Sequence, residues 1–319
     1  MNPQKILITG AAGFIGSHTV DRLLTQGCQV IAVDDLSTGH LSNLREASRH
    51  PNYRFVRLDI TAPGSFDRLV ESLRPTAIIH LAGLVSVVRA QDDPELNFRL
   101  NLLSTHIVAE AARRHGVKRI VFASSAAIYG DHPDLPLSES ILPRPISLYG
   151  MAKRASEEVL QGYGASFGIE TICLRYFNVF GPRQDPKSPY SGVISIFSDR
   201  FAAGQPVTIF GDGRQTRDFI SVHDIARANA LAATQPGLNP AICNVCTGRP
   251  RPLVSILEVF RSVYPEAPPP QMAPARPGEI RHSCGSPDRA ESLLGFRAVT
   301  ELEDGLRALI GPVKELANA

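Results

Sequence analysis

The sequence predicts an α/β protein with a Rossmann-like, doubly wound parallel sheet and a smaller carboxyl-terminal α/β lobe. In the first half of the chain, short apolar runs alternate with longer stretches of helical spacing, which is typical of repeated βαβ units. The first apolar run leads directly into a glycine-rich turn at the start of a helical stretch. After Phe177, proline and glycine become frequent and the elements shorten, as expected for a lobe of loops over one edge of the sheet.

These patterns divide the chain into a nucleotide-binding domain over 1–177 and a smaller lobe over 178–319, some segments of which return to the first domain. Apolar residues at helical spacing predict helices over 94–115 and 150–167. The predicted strands of the first domain are Lys5–Thr9, Gln29–Asp34, Tyr53–Arg57, Ala77–Leu81, Arg119–Ala123 and Glu170–Arg175.

Composition and charge exclude several classes of protein. Of the 319 residues, 43% are hydrophobic and 20% are charged, a balance typical of a packed globular core. The net charge of +2 is small and the basic residues are scattered, so we expect no nucleic-acid partner. The sequence shows neither a secretory signal nor an apolar run of about 18 residues. We therefore expect no membrane partner and a cytoplasmic location.

The five cysteines do not suggest a disulfide framework, because their number is odd and the chain is large. Cys243 and Cys246 have the spacing of half a zinc site, but 241–246 has the pattern of a buried strand and no second pair of ligands completes a site. We therefore expect these cysteines to pack in the core and expect no metal.

The turn after the first strand contains Gly10, Gly13 and Gly16, with Phe14 and Ile15 between the last two. Glycine permits a sharp turn and the close approach of a pyrophosphate, whose charge is favoured by the free amides at a helix N-terminus. The first two glycines are one residue further apart than in the common G-x-G-x-x-G pattern, and glycine-rich turns are common by themselves. The position of this turn between a strand and a helix predicts a dinucleotide site.

Acidic residues at the ends of the next two strands support this prediction. Asp34 ends the second strand, where a carboxylate accepts hydrogen bonds from an adenosine ribose; the alternative is a solvated strand end. A 2′-phosphate would be repelled there and no arginine follows at once, so NAD is favoured over NADP. Asp59 and Ile60 follow the third strand and are placed to reach the adenine, although an acidic loop residue is an equally simple interpretation of Asp59.

Tyr149 and Lys153 are four residues apart, so both side chains lie on one face if the segment begins a helix. A tyrosine has a pKa of about 10 and is a poor base at neutral pH, but a neighbouring cation and a positive nicotinamide ring favour its phenolate. The same spacing also occurs by chance on helix surfaces.

A serine-rich turn argues against the chance interpretation of this pair, because Ser124 and Ser125 follow the fifth strand. The carboxyl ends of such strands face the cofactor. A serine there can hydrogen-bond the substrate hydroxyl whose proton Tyr149 removes, or it can cap a turn or helix. Serine, tyrosine and lysine together imply hydride chemistry at a carbinol.

These motifs resemble the extended short-chain dehydrogenase/reductase family of NAD-dependent epimerases and dehydratases, most closely its 4-epimerases of UDP-glucose and UDP-N-acetylglucosamine. The likeness spans nearly the whole chain. Beyond the glycine turn and the Ser, Tyr and Lys set, it includes His80–Gly83, Arg175–Arg183, Gly211–Gly213, Arg217–Phe219 and Arg276–Glu279.

The resemblance implies roles for individual residues. Ser125 rather than Ser124 is the catalytic serine, Tyr149 is the base, and Lys153 holds the nicotinamide ribose. It makes 1–177 the NAD-binding domain and 178–319 mainly the UDP-sugar lobe. The implied further cofactor contacts are Leu81, Ala82, Asn101 and Phe177, and the implied substrate contacts are Ser125, Asn178, Val193, Arg217 and Arg276. Arginine matches phosphate oxygens with a fork of donors, although either arginine can equally form a surface salt bridge.

Two alanines distinguish an epimerase from the dehydratases and decarboxylases of the resembling family. In the resembling dehydratases and decarboxylases an acid follows the catalytic serine or threonine, whereas this chain has Ala126 and Ala127. Elimination lacks its acid catalyst here, so the resemblance implies 4-epimerisation by oxidation, rotation of the 4-keto sugar and reduction from the other face.

The sugar is predicted from small residues. In the resembling family a bulky residue at the position of Ser283 favours plain hexoses and a small one admits an N-acetyl group, and Ser86 also resembles the N-acetyl branch. UDP-GlcNAc and UDP-GalNAc are therefore the leading pair, although serine suits any loop. UDP-glucose and UDP-galactose, or a UDP-uronic acid, are the alternative substrates.

A net oxidoreductase and a non-catalytic NAD-binding regulatory protein are the alternative functions. The resemblance also implies a homodimer with a four-helix interface formed by 94–115 and 150–167.

Overall fold

The computed structural model describes residues 3–186, 192–238, 240–275 and 280–317, with side chains in the last helix as far as Ile310. Arg276, one of the predicted substrate contacts, lies outside these ranges. None of the described helices combines the length and apolar character needed to cross a membrane.

A seven-stranded parallel sheet forms the centre of the molecule. Its strands are β1 Lys5–Thr9, β2 Gln29–Asp34, β3 Tyr53–Arg57, β4 Ala77–His80, β5 Arg119–Ser125, β6 Glu170–Tyr176 and β10 Ala241–Val245. They lie in the order β10-β6-β5-β4-β1-β2-β3. The order β3-β2-β1-β4-β5-β6 is that of a doubly wound dinucleotide-binding sheet, so the predicted fold class is confirmed.

Three strand ends differ from the prediction, all on the carboxyl edge. β4 stops one residue before Leu81, whereas β5 extends two residues further and β6 one residue further than predicted. The extension has a clear cause: Ser124 pairs with Arg175 and Ser125 pairs with Tyr176 in the parallel ladder. Backbone pairing therefore continues into polar residues, where an apolar run no longer indicates a strand.

Helices cover both faces of the sheet. The helices of this half are α1 Phe14–Thr25, α2 Ser65–Leu73, α3 Val87–Asp92, α4 Pro94–Asn97, α5 Ser104–His115, α6 Leu148–Phe167 and α8 Val222–Thr234. α1 and α8 pack on one face, and α2, α5 and α6 pack on the other, so each central strand is apolar on both sides.

The helix predicted over 94–115 is present, but it is not α-helical throughout. α4 and α5 are joined by a π-helical segment, Phe98–Leu103. The extra residue that a π-turn accommodates places Asn101 in the protein interior, beside the carboxyl edge of β4. The second predicted helix is α6, which begins two residues earlier than predicted because the Ser147 hydroxyl accepts a hydrogen bond from the Gly150 amide at 3.1 Å and caps it.

The carboxyl-terminal half builds a second layer above the carboxyl edge of the sheet. Its elements besides α8 and β10 are β7 Asn178–Phe180, α7 Val193–Ala202, β8 Thr208–Phe210, β9 Thr216–Ser221, β11 Pro250–Pro252, α9 Leu253–Val263, β12 Gln271–Ala273, α10 Asp288–Leu294 and α11 Leu302–Ala317. A three-stranded sheet, β11-β9-β7, and a parallel pair, β12-β8, surround an apolar core centred on Phe197, Phe201 and Phe260. Not all of this half stays in the second layer, because β10 pairs with β6 and α8 packs against α1.

Candidate active site

A cavity of about 460 Å³ opens between the carboxyl edge of the parallel sheet and the second layer. In a doubly wound sheet this edge is where ligands bind. The cavity wall includes sixteen of the residues proposed from sequence, drawn from both halves of the chain: Gly10, Gly13, Phe14, Ile15, Gly16, Asp34, Asp59, Ile60, Leu81, Ala82, Ser125, Tyr149, Lys153, Phe177, Asn178 and Val193.

The glycine turn leaves no room for side chains. Gly10 has a φ of +69°, and a Cβ there would lie 2.7 Å from the Ala82 amide nitrogen. A Cβ on Gly16 would lie 2.0 Å from the Gly10 carbonyl oxygen. Gly13 caps α1 without a side chain, so the first amides of this 12-residue helix face the cavity rather than a capping group. The turn is a cradle in which phosphate oxygens can approach the backbone.

Asp34 is held in place by the same turn. Its carboxylate accepts hydrogen bonds from the Ala12 amide at 2.9 Å and from the Leu36 amide at 2.8 Å. Burial raises the pKa of Asp34, and the two amide donors oppose that change. An acceptor fixed at this point suits the two hydroxyls of a ribose and is incompatible with a 2′-phosphate.

Asn101 lies behind the cavity wall rather than in it. Its side chain is buried, and its Nδ2 donates to the Leu84 carbonyl at 3.0 Å and to Asn97 Oδ1 at 2.8 Å. Its Oδ1 is buried without a hydrogen-bond partner. A Cβ on Gly83 would lie 2.6 Å from this oxygen and 3.6 Å from Lys153 Nζ, so the glycine keeps a narrow path open towards both groups. Asn101 Oδ1 is therefore an acceptor without a partner close to Lys153, and a bound dinucleotide could donate a hydrogen bond to it.

The Ser, Tyr and Lys set converges on one side of the cavity. The Ser125 hydroxyl lies close enough to the Tyr149 phenol to lower the pKa of that phenol. Lys153 Nζ donates to the Ala123 carbonyl at 2.9 Å and lies 5.9 Å from the centre of the Tyr149 ring. The three side chains therefore occupy positions in which a substrate hydroxyl between Ser125 and Tyr149 would lie near a cation.

Burial controls the protonation of these groups. It raises the pKa of Tyr149, which the neighbouring Ser125 hydroxyl partly offsets, and it lowers the pKa of Lys153 to about 8, which Glu157 opposes. A phenol in this environment keeps its proton near neutral pH until further positive charge reaches it.

Ser124 points away from this group. Its hydroxyl donates to Glu157 Oε1 at 2.5 Å, and Glu157 also pairs side-on with Arg175 through distances of 3.0 and 2.7 Å. Sequence reasoning placed no function on Glu157. The available signal was its spacing, because Tyr149, Lys153 and Glu157 recur every four residues along α6.

Three residues proposed as substrate contacts lie outside this cavity wall. Ser86 caps α3, accepting a hydrogen bond from the Arg89 amide at 3.0 Å. Arg217 Nη1 donates to the carbonyl oxygens of Thr216 at 2.9 Å and Arg281 at 3.3 Å. The Ser283 amide donates to the Thr216 carbonyl at 3.2 Å, so β9 carries both Arg217 and the segment that contains Ser283.

The cysteines occupy core positions. All five are buried and unpaired, and burial raises the pKa of Cys243 to about 12 and that of Cys246 well above its ordinary value. Among the described residues, no group of three or more His, Cys, Asp or Glu side chains is arranged to hold a metal ion.

The profile of the NAD dependent epimerase/dehydratase family matches residues 6–246, which include the glycine turn, the Ser, Tyr and Lys set and all seven strands of the parallel sheet. The chain belongs to this family. Membership confirms the predicted family and the predicted cofactor, NAD.

Relatives of this epimerase/dehydratase chain match it along nearly its whole length. UDP-glucose 4-epimerase from Mycolicibacterium smegmatis is 37% identical over 304 residues, which cover 95% of this chain and 96% of the relative. Among solved structures, UDP-glucose 4-epimerase from Thermotoga maritima with UDP-glucose superposes with a TM-score of 0.92 and 35% identity, covering 98% of this chain and 100% of that one.

A third comparison bears on the sugar. UDP-N-acetylglucosamine 4-epimerase from Methanobrevibacter ruminantium, in complex with UDP-N-acetylmuramic acid, superposes with a TM-score of 0.91 and 33% identity, covering 100% of this chain and 99% of that one. Members with plain and N-acetylated substrates therefore share this fold at similar identity.

Proposed function

We propose that this chain is an NAD-dependent 4-epimerase of UDP-hexoses, with UDP-GlcNAc and UDP-GalNAc as its preferred pair. One observation carries the epimerase activity: Ser125, Tyr149 and Lys153 share one cavity with the glycine cradle. The relatives that match the full length of the chain are named as UDP-sugar 4-epimerases, which supports the same activity.

The residues perform proton transfer and orientation. Bound NAD supplies a hydride acceptor, and its positive nicotinamide ring favours the phenolate. Tyr149 takes the proton of the sugar C4 hydroxyl while Ser125 holds that hydroxyl by a hydrogen bond. Lys153 stabilises the phenolate by its charge and is placed to hold a ribose. After the 4-keto sugar turns its other face, Tyr149 returns a proton to the C4 oxygen, and NAD in the glycine cradle would supply the hydride for C4.

The cavity offers no acid for elimination at the turn after Ser125. Ala126 and Ala127 occupy the short 3₁₀ turn that begins there, and the Ser125 hydroxyl accepts a hydrogen bond from the Ala127 amide at 3.2 Å. Loss of a C6 hydroxyl needs an acid at this place. We therefore assign epimerisation rather than dehydration.

The preference for N-acetyl sugars is supported by Ser283. Its side chain is small and half-buried, and β9 holds its backbone beside Arg217. The UDP-glucose/UDP-galactose pair is the second candidate, because relatives at 35–37% identity are named as UDP-glucose 4-epimerases.

Substrate comparison separates these candidates. We expect kcat/KM to be higher for UDP-GlcNAc and UDP-GalNAc than for UDP-glucose and UDP-galactose, measured by NMR detection of the C4 epimer. Ser283→Tyr should lower kcat/KM for the N-acetyl pair about 100-fold, in line with the discrimination that steric pockets achieve, and leave the hexose pair within about threefold. Ser292→Tyr, an exposed serine on α10, is the matched control.

Two results would contradict the sugar assignment. The first is higher kcat/KM for the plain hexoses in the unsubstituted protein. The second is an equal loss for both pairs in Ser283→Tyr. Conversion of UDP-GlcNAc only to a 4-keto-6-deoxy sugar would contradict the epimerase activity itself.

The homodimer belongs to the same proposal. Large apolar side chains are exposed on the π-helical segment and on α6, including Phe98 and Phe167, each 54% exposed. Pairing of the 94–115 and 148–167 helices with those of a second copy would cover them. Light scattering coupled to size-exclusion chromatography should give twice the 34.6 kDa chain mass, and a monomer at micromolar concentration would contradict this arrangement.

A further inference from the structure

The face of α6 that points to the sheet carries a buried row of functional groups. Tyr149, Lys153 and Glu157 follow one another at intervals of four residues, so each lies one turn from the next. All three are less than 10% exposed. A carboxylate in such a place is costly unless it has several partners, so its presence beside a lysine of the cavity needs an explanation.

Glu157 has those partners on the two central strands. Its Oε1 accepts from Ser124 Oγ at 2.5 Å and from Arg175 Nε at 3.0 Å, and its Oε2 accepts from Arg175 Nη2 at 2.7 Å. Ser124 and Arg175 are themselves paired across β5 and β6. The carboxylate is thus fixed against the strand ends that present Ser125 to the cavity.

Arg175 is anchored on its far side as well. Its Nη1 donates to the Tyr129 hydroxyl at 2.9 Å, and Tyr129 in turn donates to Asn244 Oδ1 on β10 at 2.7 Å. The guanidinium carbon lies 4.9 Å from the centre of the Tyr129 ring. Because Arg175 has these other partners, its position does not depend on Glu157 alone.

We propose that Glu157 is a positioning residue: fixed by Ser124 and Arg175, its carboxylate keeps the buried Lys153 side chain in its charged form one helical turn away. The role that Lys153 plays in the reaction rests on the proposed function, but its charge state can be measured without any turnover. Burial lowers the pKa of Lys153 to about 8, and Glu157 is the group that opposes this shift.

The other titratable groups around this pair do not supply the same charge. They are Tyr149 on the same helix, His80 on β4, Cys173 and Arg175 on β6, and Tyr129 after β5. Burial raises the pKa of Tyr149, Tyr129 and Cys173 and lowers the pKa of His80 to about 3, so all four are neutral near pH 7. Arg175 is a cation and disfavours a second cation. Of the groups that face Lys153 in the described residues, Glu157 is therefore the one that stabilises the ammonium.

The charge of Lys153 can be measured directly by NMR, because few lysine resonances have to be distinguished. The chain contains five lysines, Lys5, Lys118, Lys153, Lys187 and Lys314. With 13C-labelled lysine, the Cε resonances can be followed against pH, and Lys153→Arg assigns the resonance of Lys153 by its disappearance. In Glu157→Gln we expect the Lys153 midpoint to fall by about one pH unit, the lower end of the effect of a nearby opposite charge. The titration is recorded with and without NAD, and the same direction is expected in both.

Glu158→Gln is the matched control, because the neighbouring carboxylate on the same helix is 63% exposed and pairs with Arg154 in solvent. It should leave the Lys153 midpoint within about 0.2 pH units, since exposed charges are screened. The double variant Glu157→Gln/Arg175→Met removes the carboxylate without leaving a buried cation unpaired. It should also lower the midpoint, but by less than the single variant, because removal of the Arg175 cation offsets part of the loss of the carboxylate.

A purely structural role for Glu157 predicts something different. It would lower the melting temperature and kcat while leaving the Lys153 midpoint unchanged. An unchanged midpoint in Glu157→Gln, or in the double variant if the single variant does not fold, overturns the proposal. If Tyr149→Phe showed that the protein is not an epimerase, the titration would still decide whether Glu157 controls the charge of Lys153.

Discussion

The sheet side of the cavity and the second layer above it are built in different ways. On the sheet side, Ser125 comes from β5 and Tyr149 and Lys153 come from α6. The parallel ladder fixes the backbone of Ser125, and the hydrogen bond from Lys153 Nζ to the Ala123 carbonyl joins α6 to β5. In the second layer, outside the cavity wall, Arg217 and Ser283 are 66 residues apart in the sequence. They are brought together by the bridge between Thr216 and His282, by a hydrogen bond from Arg217 Nη1 to the Arg281 carbonyl and by one from the Gly285 amide to Asp218. The proposed catalytic groups thus lie on the central sheet and α6, whereas the proposed substrate contacts Arg217 and Ser283 depend on a few contacts between distant segments.

Asp218 provides much of the order on the substrate side. Its buried carboxylate accepts from the Thr247 amide and hydroxyl at 2.8 and 2.6 Å, from the Gly248 amide at 2.9 Å and from the Gly285 amide at 3.2 Å. One side chain on β9 therefore ties together the turn after β10 and the segment that follows Ser283. Loss of this carboxylate should affect binding, whereas loss of a group on the sheet side should affect chemistry.

Tyr149→Phe should have the largest effect, because it removes the proton acceptor and leaves the cavity shape unchanged. We expect kcat to fall about 1,000-fold, within the range for general acid–base groups, while the KM for the UDP-sugar changes little. Steady-state epimerisation rates with NAD content measured in parallel check this. Activity within tenfold of the unsubstituted protein would mean that a different group moves the proton, and would favour a non-catalytic role for the set.

Gly16→Ala should come next, because its Cβ would lie 2.0 Å from the Gly10 carbonyl oxygen. Displacing this backbone should destabilise the turn by about 1–3 kcal/mol and remove most of the bound NAD. Thermal unfolding and the cofactor content of the purified protein measure both effects.

Gly162→Ala is the control for that substitution. Gly162 lies within α6, and an added methyl group would meet no atom from outside this helix within 4 Å, so alanine should stabilise the helix by about 0.5–1 kcal/mol. Equal NAD contents in the two variants would show that the glycine cradle is not the phosphate site.

Asp218→Asn should have a smaller effect, confined to substrate binding. An asparagine oxygen cannot accept all four hydrogen bonds, and its amide would face backbone donors. We expect KM for the UDP-sugar to rise about tenfold with kcat within about threefold. The exposed pair between Asp212 and Arg281, at 2.8 Å, touches the same segment, so Asp212→Asn is a matched control that should change neither constant. A fall in kcat with unchanged KM would place Asp218 with the chemistry instead.

Sequence reasoning located the sheet side more fully than the substrate side, for a physical reason. The strands, the glycine turn and the Tyr149–Lys153 spacing are local patterns that follow from helix and strand periodicity. The pairing of Thr216 with His282 has no local signal, so the sequence alone could not place Ser283 relative to Arg217. Their functions there stay predictions.

Two features of the sheet side could not be predicted from the sequence. The last residues of β5 are polar, so the apolar run ended before the strand did. In the sequence, Glu157 resembles the solvent-facing acids that are common on amphipathic helices. Its burial one turn from Lys153 is explained by its ion pair with Arg175, a residue of a distant strand. Buried charge pairs between distant elements are difficult to predict because each member, taken alone, has a surface composition.

In the proposed reaction, hydride leaves C4 and returns to C4 on one bound cofactor. UDP-N-acetylglucosamine carrying deuterium at C4 tests it directly, with the NAD-loaded protein in ordinary water and no added oxidant. We predict UDP-N-acetylgalactosamine that retains the deuterium at C4, with no NADH released into solution. Product with hydrogen at C4, or deuterated NADH accumulating in proportion to turnover, would contradict the account.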